Sequence, residues 1–153
     1  MEPTSPRRQR IGDLLMQAGL LDDDQLQLAL QEQKRTGVKL GQAIIDLGFL
    51  DEAQLLNALS TQMGIPLVSL RRFSFDESLV QRLPEGMARR FRAIVLTHER
   101  DGVLIGMADP LDLYAIDEMA RHLRVPLHLA LVSEAELLDS FDRLYRRTGE
   151  IAS

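Results

Sequence analysis

A chain of 153 residues with 45% apolar and 27% charged side chains has the makings of one ordinary soluble domain or two small ones. The lack of cysteine excludes disulfides and thiolate metal sites, and no apolar run is long enough to span a bilayer or forms a secretory signal. A net charge of -5 argues against broad, nonspecific binding to nucleic acid, and the cytosol is the expected compartment.

Residues 1–9, MEPTSPRRQ, carry two prolines and no apolar pattern, and read as a flexible arm. The pattern then turns helical. Ile11 to Ala18 is a short helix closed at Gly19, since glycine is common just past a helix end. Asp22 or Asp23 opens a second helix that runs to about Arg35, with Gly37 closing it. The acidic run Asp22, Asp23, Asp24 fits a helix start, where carboxylates satisfy free amides and oppose the dipole. The same signals then return: a helix from Leu40 to Leu47, Gly48 as breaker, Asp51 as cap, and a helix to about Met63. Set in register, residues 10–33 and 39–62 are identical at nine of 24 positions. A helical hairpin cannot bury both faces alone, so the two copies are expected to pack on each other.

Gly64 and Pro66 end the helical half. FDESLVQRLPEGMARRF reads as two short helices around Pro84. RAIVLTHE and GVLIGMAD are β-rich runs joined at Asp101-Gly102, a hairpin signal. LDLYAIDEMARHL is an amphipathic helix by the spacing of Leu113, Ile116, Met119 and Leu123. VPLHLALV is a third strand, and Ser133 with Glu136 forms a capping box for a closing helix that extends to about Tyr145. The predicted class is α+β: a four-helix unit of two tandem hairpins, then a small α+β unit with about three strands. The expected divisions are an arm over 1–9, the helical unit over 10–64, the α+β unit over 65–147, and a tail or linker start over 148–153.

Leu26, Leu30 and Gln33 stand at i, i+4 and i+7 on one side of the second helix, and Leu55, Leu59 and Gln62 do the same in the second copy. Each set is either a leucine core edged by an exposed glutamine, or an apolar bed ending in an amide that can donate and accept. Each repeat opens with a cation, an aliphatic residue and a glycine: Arg10-Ile11-Gly12 and Lys39-Leu40-Gly41. Glycine there admits a ligand close to the backbone or allows tight helix packing, and both readings stand. Free amides at a helix start attract phosphate, and arginine can fork onto the O6 and N7 edge of guanine. Two similar half-sites in tandem suit a ligand with two similar halves, such as a twofold-symmetric dinucleotide.

The repeated pattern R-[LI]-G-x-x-L-[LM]-x-x-G-L-L-x-x-x-x-L-x-x-x-L-x-x-Q resembles the MshEN domain, which binds cyclic di-GMP at the N-terminus of type II secretion and type IV pilus assembly ATPases. The M-A-D-P of residues 107–110 and the closing helix extend the resemblance along the chain. The resemblance implies that Arg10 and Lys39 each meet a guanine edge or phosphate, with the backbone near Gly12 and Gly41 against the ligand. It implies apolar beds of Ile11, Leu26 and Leu30 in one half-site and Leu40, Leu55 and Leu59 in the other, closed by Gln33 and Gln62. Asp109 would accept from guanine N1 and N2, although a turn cap before Pro110 also explains it. Ile11 stands for the family's leucine, a nearly isosteric change, and Lys39 for its arginine, which removes the planar fork.

No G-x-x-x-x-G-K-[ST] loop occurs, so the chain itself is expected to be no enzyme and to need no cofactor besides the cyclic di-GMP ligand. His98, His122 and His128 lie in separate elements without metal-ligand spacing. The expected partner is an ATPase motor domain in cis or trans, with a membrane platform protein as a further candidate, and neither DNA nor direct membrane insertion. An excised regulatory domain is the expectation, cytoplasmic and at the inner membrane only through partners. The competing reading is a docking domain that binds the platform protein without nucleotide. A helix-turn-helix DNA binder is disfavoured by the acidic charge and by a second helix of leucine and glutamine.

Overall fold

Four helices follow one another before residue 64: α1 (Ile11–Gln17), α2 (Asp23–Thr36), α3 (Leu40–Asp46) and α4 (Glu52–Met63). The structure, a computed structural model, describes the backbone of residues 11–152 and the side chains of residues 11–145. The arm over 1–9 and Arg10 lie outside the described residues. The chain divides into two compact units, Met1–Gly64 and Ile65–Ser153.

In the first unit the two long helices start alike. The Gln25 N–H donates to Asp22 Oδ1 (2.8 Å) while the Asp22 N–H donates to Gln25 Oε1 (3.0 Å). Asp51 and Gln54 repeat this reciprocal box at 2.8 and 2.9 Å. Each box satisfies a backbone donor that the helix leaves open and so fixes where the helix begins. Gly19 and Gly48 adopt φ of +75° and +80° after the short helices, a conformation that carries little penalty for glycine. The hairpins pack reciprocally: α1 lies against α4, α2 against α3, and α1 also meets α3. Leu14, Leu15, Leu21, Ala29, Ile44, Leu50, Ala58 and Leu59 are buried there.

The second unit opens with a 3-10 turn at Leu70–Arg72, then α5 (Glu77–Val80) and α6 (Glu85–Phe91). Strands β1 (Ala93–His98) and β2 (Val103–Met107) form an antiparallel hairpin. After α7 (Leu113–Leu123), strand β3 (Leu127–Leu131) pairs parallel to β2, and α8 (Glu134–Ala152) closes the chain. The sheet order is β1-β2-β3, and Leu67 adds a parallel bridge to Leu131. Ile94, Leu96, Ile105, Met107, Met119, Leu137 and Phe141 are buried in one core. The fold is α+β, with a three-stranded mixed sheet as expected.

Three details differ from the sequence reading. Leu113, at the first position of α7, is 46% exposed, whereas Met119 and Leu123 are buried and Ile116 packs against the core as the spacing predicts, with Ala115 fully buried beside them. At Gly102 the φ is not left-handed; a side chain there would strike the Pro126 carbonyl, so glycine serves a close approach of β3's entry. Helix α8 continues past Tyr145 to Ala152. Gly149 lowers helix propensity without stopping the helix.

Candidate ligand-binding site

The glycines that open the repeats sit where the helices touch. Gly12 is buried in α1, and a methyl carbon placed on it would lie 2.7 Å from Leu26 Cδ1 and 3.6 Å from Leu40 Cδ2. Gly41 is buried in α3, and the same addition would come 3.2 Å from Leu55 Cδ2. Each repeat therefore lays the first leucine of its long helix across the glycine of its short one. Leu40 of the second repeat joins Gly12 and Leu26 of the first. That crossing was not legible in the sequence, where Leu40 belongs to the other half-site; periodicity within one repeat carries no sign of how α1 meets α3.

The remaining positions sort by exposure. Ile11, Leu26, Leu30, Leu40 and Gln33 are half-buried, Leu55 and Leu59 are buried, and Gln62 is exposed. The side chains of Gln33 and Gln62 make no hydrogen bond among the described residues, although seven of the nine repeated identities have a clear role in caps, turns or packing. Lys39 is the exposed N-cap of α3, and its ammonium has no ion pair among the described residues. Arg10 is outside the described residues.

In the second unit, Asp109 Oδ1 accepts from the Leu111 N–H at 3.2 Å, and its carbonyl accepts from the Asp112 N–H at 3.2 Å. The aspartate thus shapes the turn into α7, where the Asp112 carboxylate accepts from the Ala115 N–H (3.0 Å). Its second carboxylate oxygen has no hydrogen bond among the described residues. The three histidines are exposed; His128 Nε2 pairs with Asp101 Oδ1 at 2.6 Å, which holds that carboxyl below the usual range. No cluster of histidine, aspartate or glutamate able to hold a metal ion occurs among the described residues. Nor is any described helix long and apolar enough to cross a membrane.

Tandem helical hairpins with matched caps and matched glycine seats, followed by a small mixed-sheet unit, define an α+β chain of two compact units. The chain belongs to the MshEN domain family, whose model matches residues 63–151. The match falls on the α+β unit, whereas the sequence resemblance rested chiefly on the repeats. A solved structure of MshE with cdg superposes with a TM-score of 0.79 at 42% identity, covering 90% of this chain and all of that one. The type IV pilus assembly ATPase PilB of Myxococcus xanthus is 25% identical over 140 residues, which is 92% of this chain and 25% of that protein. The type II secretion system protein E of Xanthomonas campestris pv. campestris is 31% identical over 142 residues, 89% of this chain and 25% of that protein. The chain spans a quarter or less of the length of these curated relatives.

Proposed function

We propose that the chain is a cyclic di-GMP-binding regulatory domain of a type IV pilus or type II secretion ATPase, with one repeat for each half of the dinucleotide. The observation that carries this reading is the repetition of Gln33 at Gln62. An amide conserved between the copies, yet without a described hydrogen bond within the fold, is free to serve a ligand. The likeness to MshE with cdg, taken as cyclic di-GMP, supports it. In this reading Arg10 and Lys39 meet guanine or phosphate, and Leu26, Leu30, Leu55 and Leu59 form the apolar beds with Ile11 and Leu40. The reciprocal pairing of α1 with α4 and α2 with α3 is unchanged when the repeats are exchanged, which matches a ligand whose halves can also be exchanged. Binding then alters the motor domain through the linked chain.

The test is calorimetric titration of the protein with cyclic di-GMP, with GTP and cyclic di-AMP as controls. Saturable binding near one ligand per chain, weakened by Lys39→Ala and Arg10→Ala and absent for cyclic di-AMP, is the expected result. No heat and no change in melting temperature would overturn the reading and leave a docking domain in its place.

A further inference from the structure

We propose that Gly12 and Gly41 are positioning residues, which act on a ligand through the leucines seated on them. This inference rests on the reading of the repeats as two half-sites and says how those half-sites are set. Neither glycine has a positive φ, so neither is required by backbone conformation. Both lie in the first turn of a helix, where alanine is the better helix former if there is room. The room is taken by a leucine methyl: Leu26 Cδ1 lies 2.7 Å from where an alanine Cβ would stand at residue 12, and Leu55 Cδ2 lies 3.2 Å from that place at residue 41. Both glycines are buried, and the space where a side chain would begin at each already holds a leucine end.

The obstacle is the far end of a flexible side chain and not backbone. An added methyl at residue 12 therefore turns Leu26 aside and leaves the helices in place. What moves is the apolar bed, and the fold stays. At residue 41 the overlap is smaller, so Leu55 gives way by less. The glycines set the height and tilt of the leucine bed, and the first repeat depends on its glycine more than the second does.

A double-mutant cycle tests this. Wild type, Gly12→Ala, Leu26→Val and the double variant are each titrated with cyclic di-GMP, and their melting temperatures are recorded. Gly12→Ala is expected to weaken binding by about tenfold, as contacting residues couple, with a melting temperature at or above that of wild type. In the double variant the shortened side chain clears the methyl, and affinity returns to that of Leu26→Val alone. Gly41→Ala with Leu55→Val repeats the cycle with a smaller loss and keeps the test available if one variant does not fold. Losses that simply multiply in both double variants, or a greater loss at Gly41 than at Gly12, would overturn the proposal while leaving the ligand reading intact. A wild-type chain that does not bind would overturn both.

Discussion

The helical unit and the α+β unit are tied together over different distances. Asp22 with Gln25 and Asp51 with Gln54 close caps three residues apart, and Gln42 reaches Asp46 only four residues on. In the second unit Glu136 Oε1 accepts from the Leu70 N–H at 2.9 Å across 66 residues, and the Tyr145 hydroxyl donates to the Leu83 carbonyl at 2.9 Å across 62. Arg92 Nε donates to Glu134 Oε2 at 3.0 Å across 42. The first unit is thus specified turn by turn and then doubled. The second adds to its core a few polar contacts between distant segments, which form only after loop closure has been opposed by chain entropy.

The largest effect expected from this contrast is at Phe141, fully buried in the second core. Phe141→Ala should lower stability by roughly 3–5 kcal/mol in urea denaturation, the usual range for deleting a core aromatic ring. A loss near that of a surface substitution would mean that the long-range ties, and not the core, hold the α+β unit. Next comes Tyr145→Phe, which leaves the Leu83 carbonyl and the more distant Val80 carbonyl without their hydroxyl donor, at a cost of about 1 kcal/mol. Its pH dependence sharpens the comparison. Burial pushes the Tyr145 phenol up to about 12, whereas an unfolded chain releases that proton near pH 10. The folded state holds the proton more tightly, so this contribution is complete below about pH 10 and is lost as pH rises towards 12. Tyr145→Phe should remove that alkaline decline, as followed by thermal melts across the range. The smallest effects are the caps: Asp22→Ala and Asp51→Ala should each cost about 1 kcal/mol, and by the same amount. Unequal losses would show that the copies, identical at these positions, have diverged in what the caps support.

The same contrast explains how far the sequence could be read. Aspartate caps, Gly19, Gly37, Gly48 and Gly64 past helix ends, and apolar spacing are short-range signals, and they place α1 to α4 within a residue or two of the observed bounds. The hairpin and the third strand were legible for the same reason. In the second unit α6 and α7 end at Arg92 and Arg124 with φ of 51° and 61°, left-handed positions that arginine does not advertise. The short turn at Leu70–Arg72 is held by Glu136, a residue that the sequence pattern assigned to a cap; Ser133 Oγ does accept from the Glu136 N–H at 3.3 Å, while one carboxylate oxygen is committed far away. At the candidate site, residue types and the helix face of each leucine could be read. The seating of Leu26 on Gly12 and the arrival of Leu40 beside them could not, because they depend on how helices from different repeats cross.

The reciprocal packing of α1 with α4 and α2 with α3 also bears on how such a unit responds to dilution. A single hairpin of this kind buries its apolar face only by meeting a second one, so as separate chains the two would associate in proportion to their concentration. The short connection over residues 37–39, between α2 and α3, joins them and turns that encounter into an intramolecular one, with an effective concentration on the order of millimolar for a short linker. The tandem repeat is in this sense a dimer that cannot dissociate, with both halves of its surface assembled at whatever abundance the cell maintains.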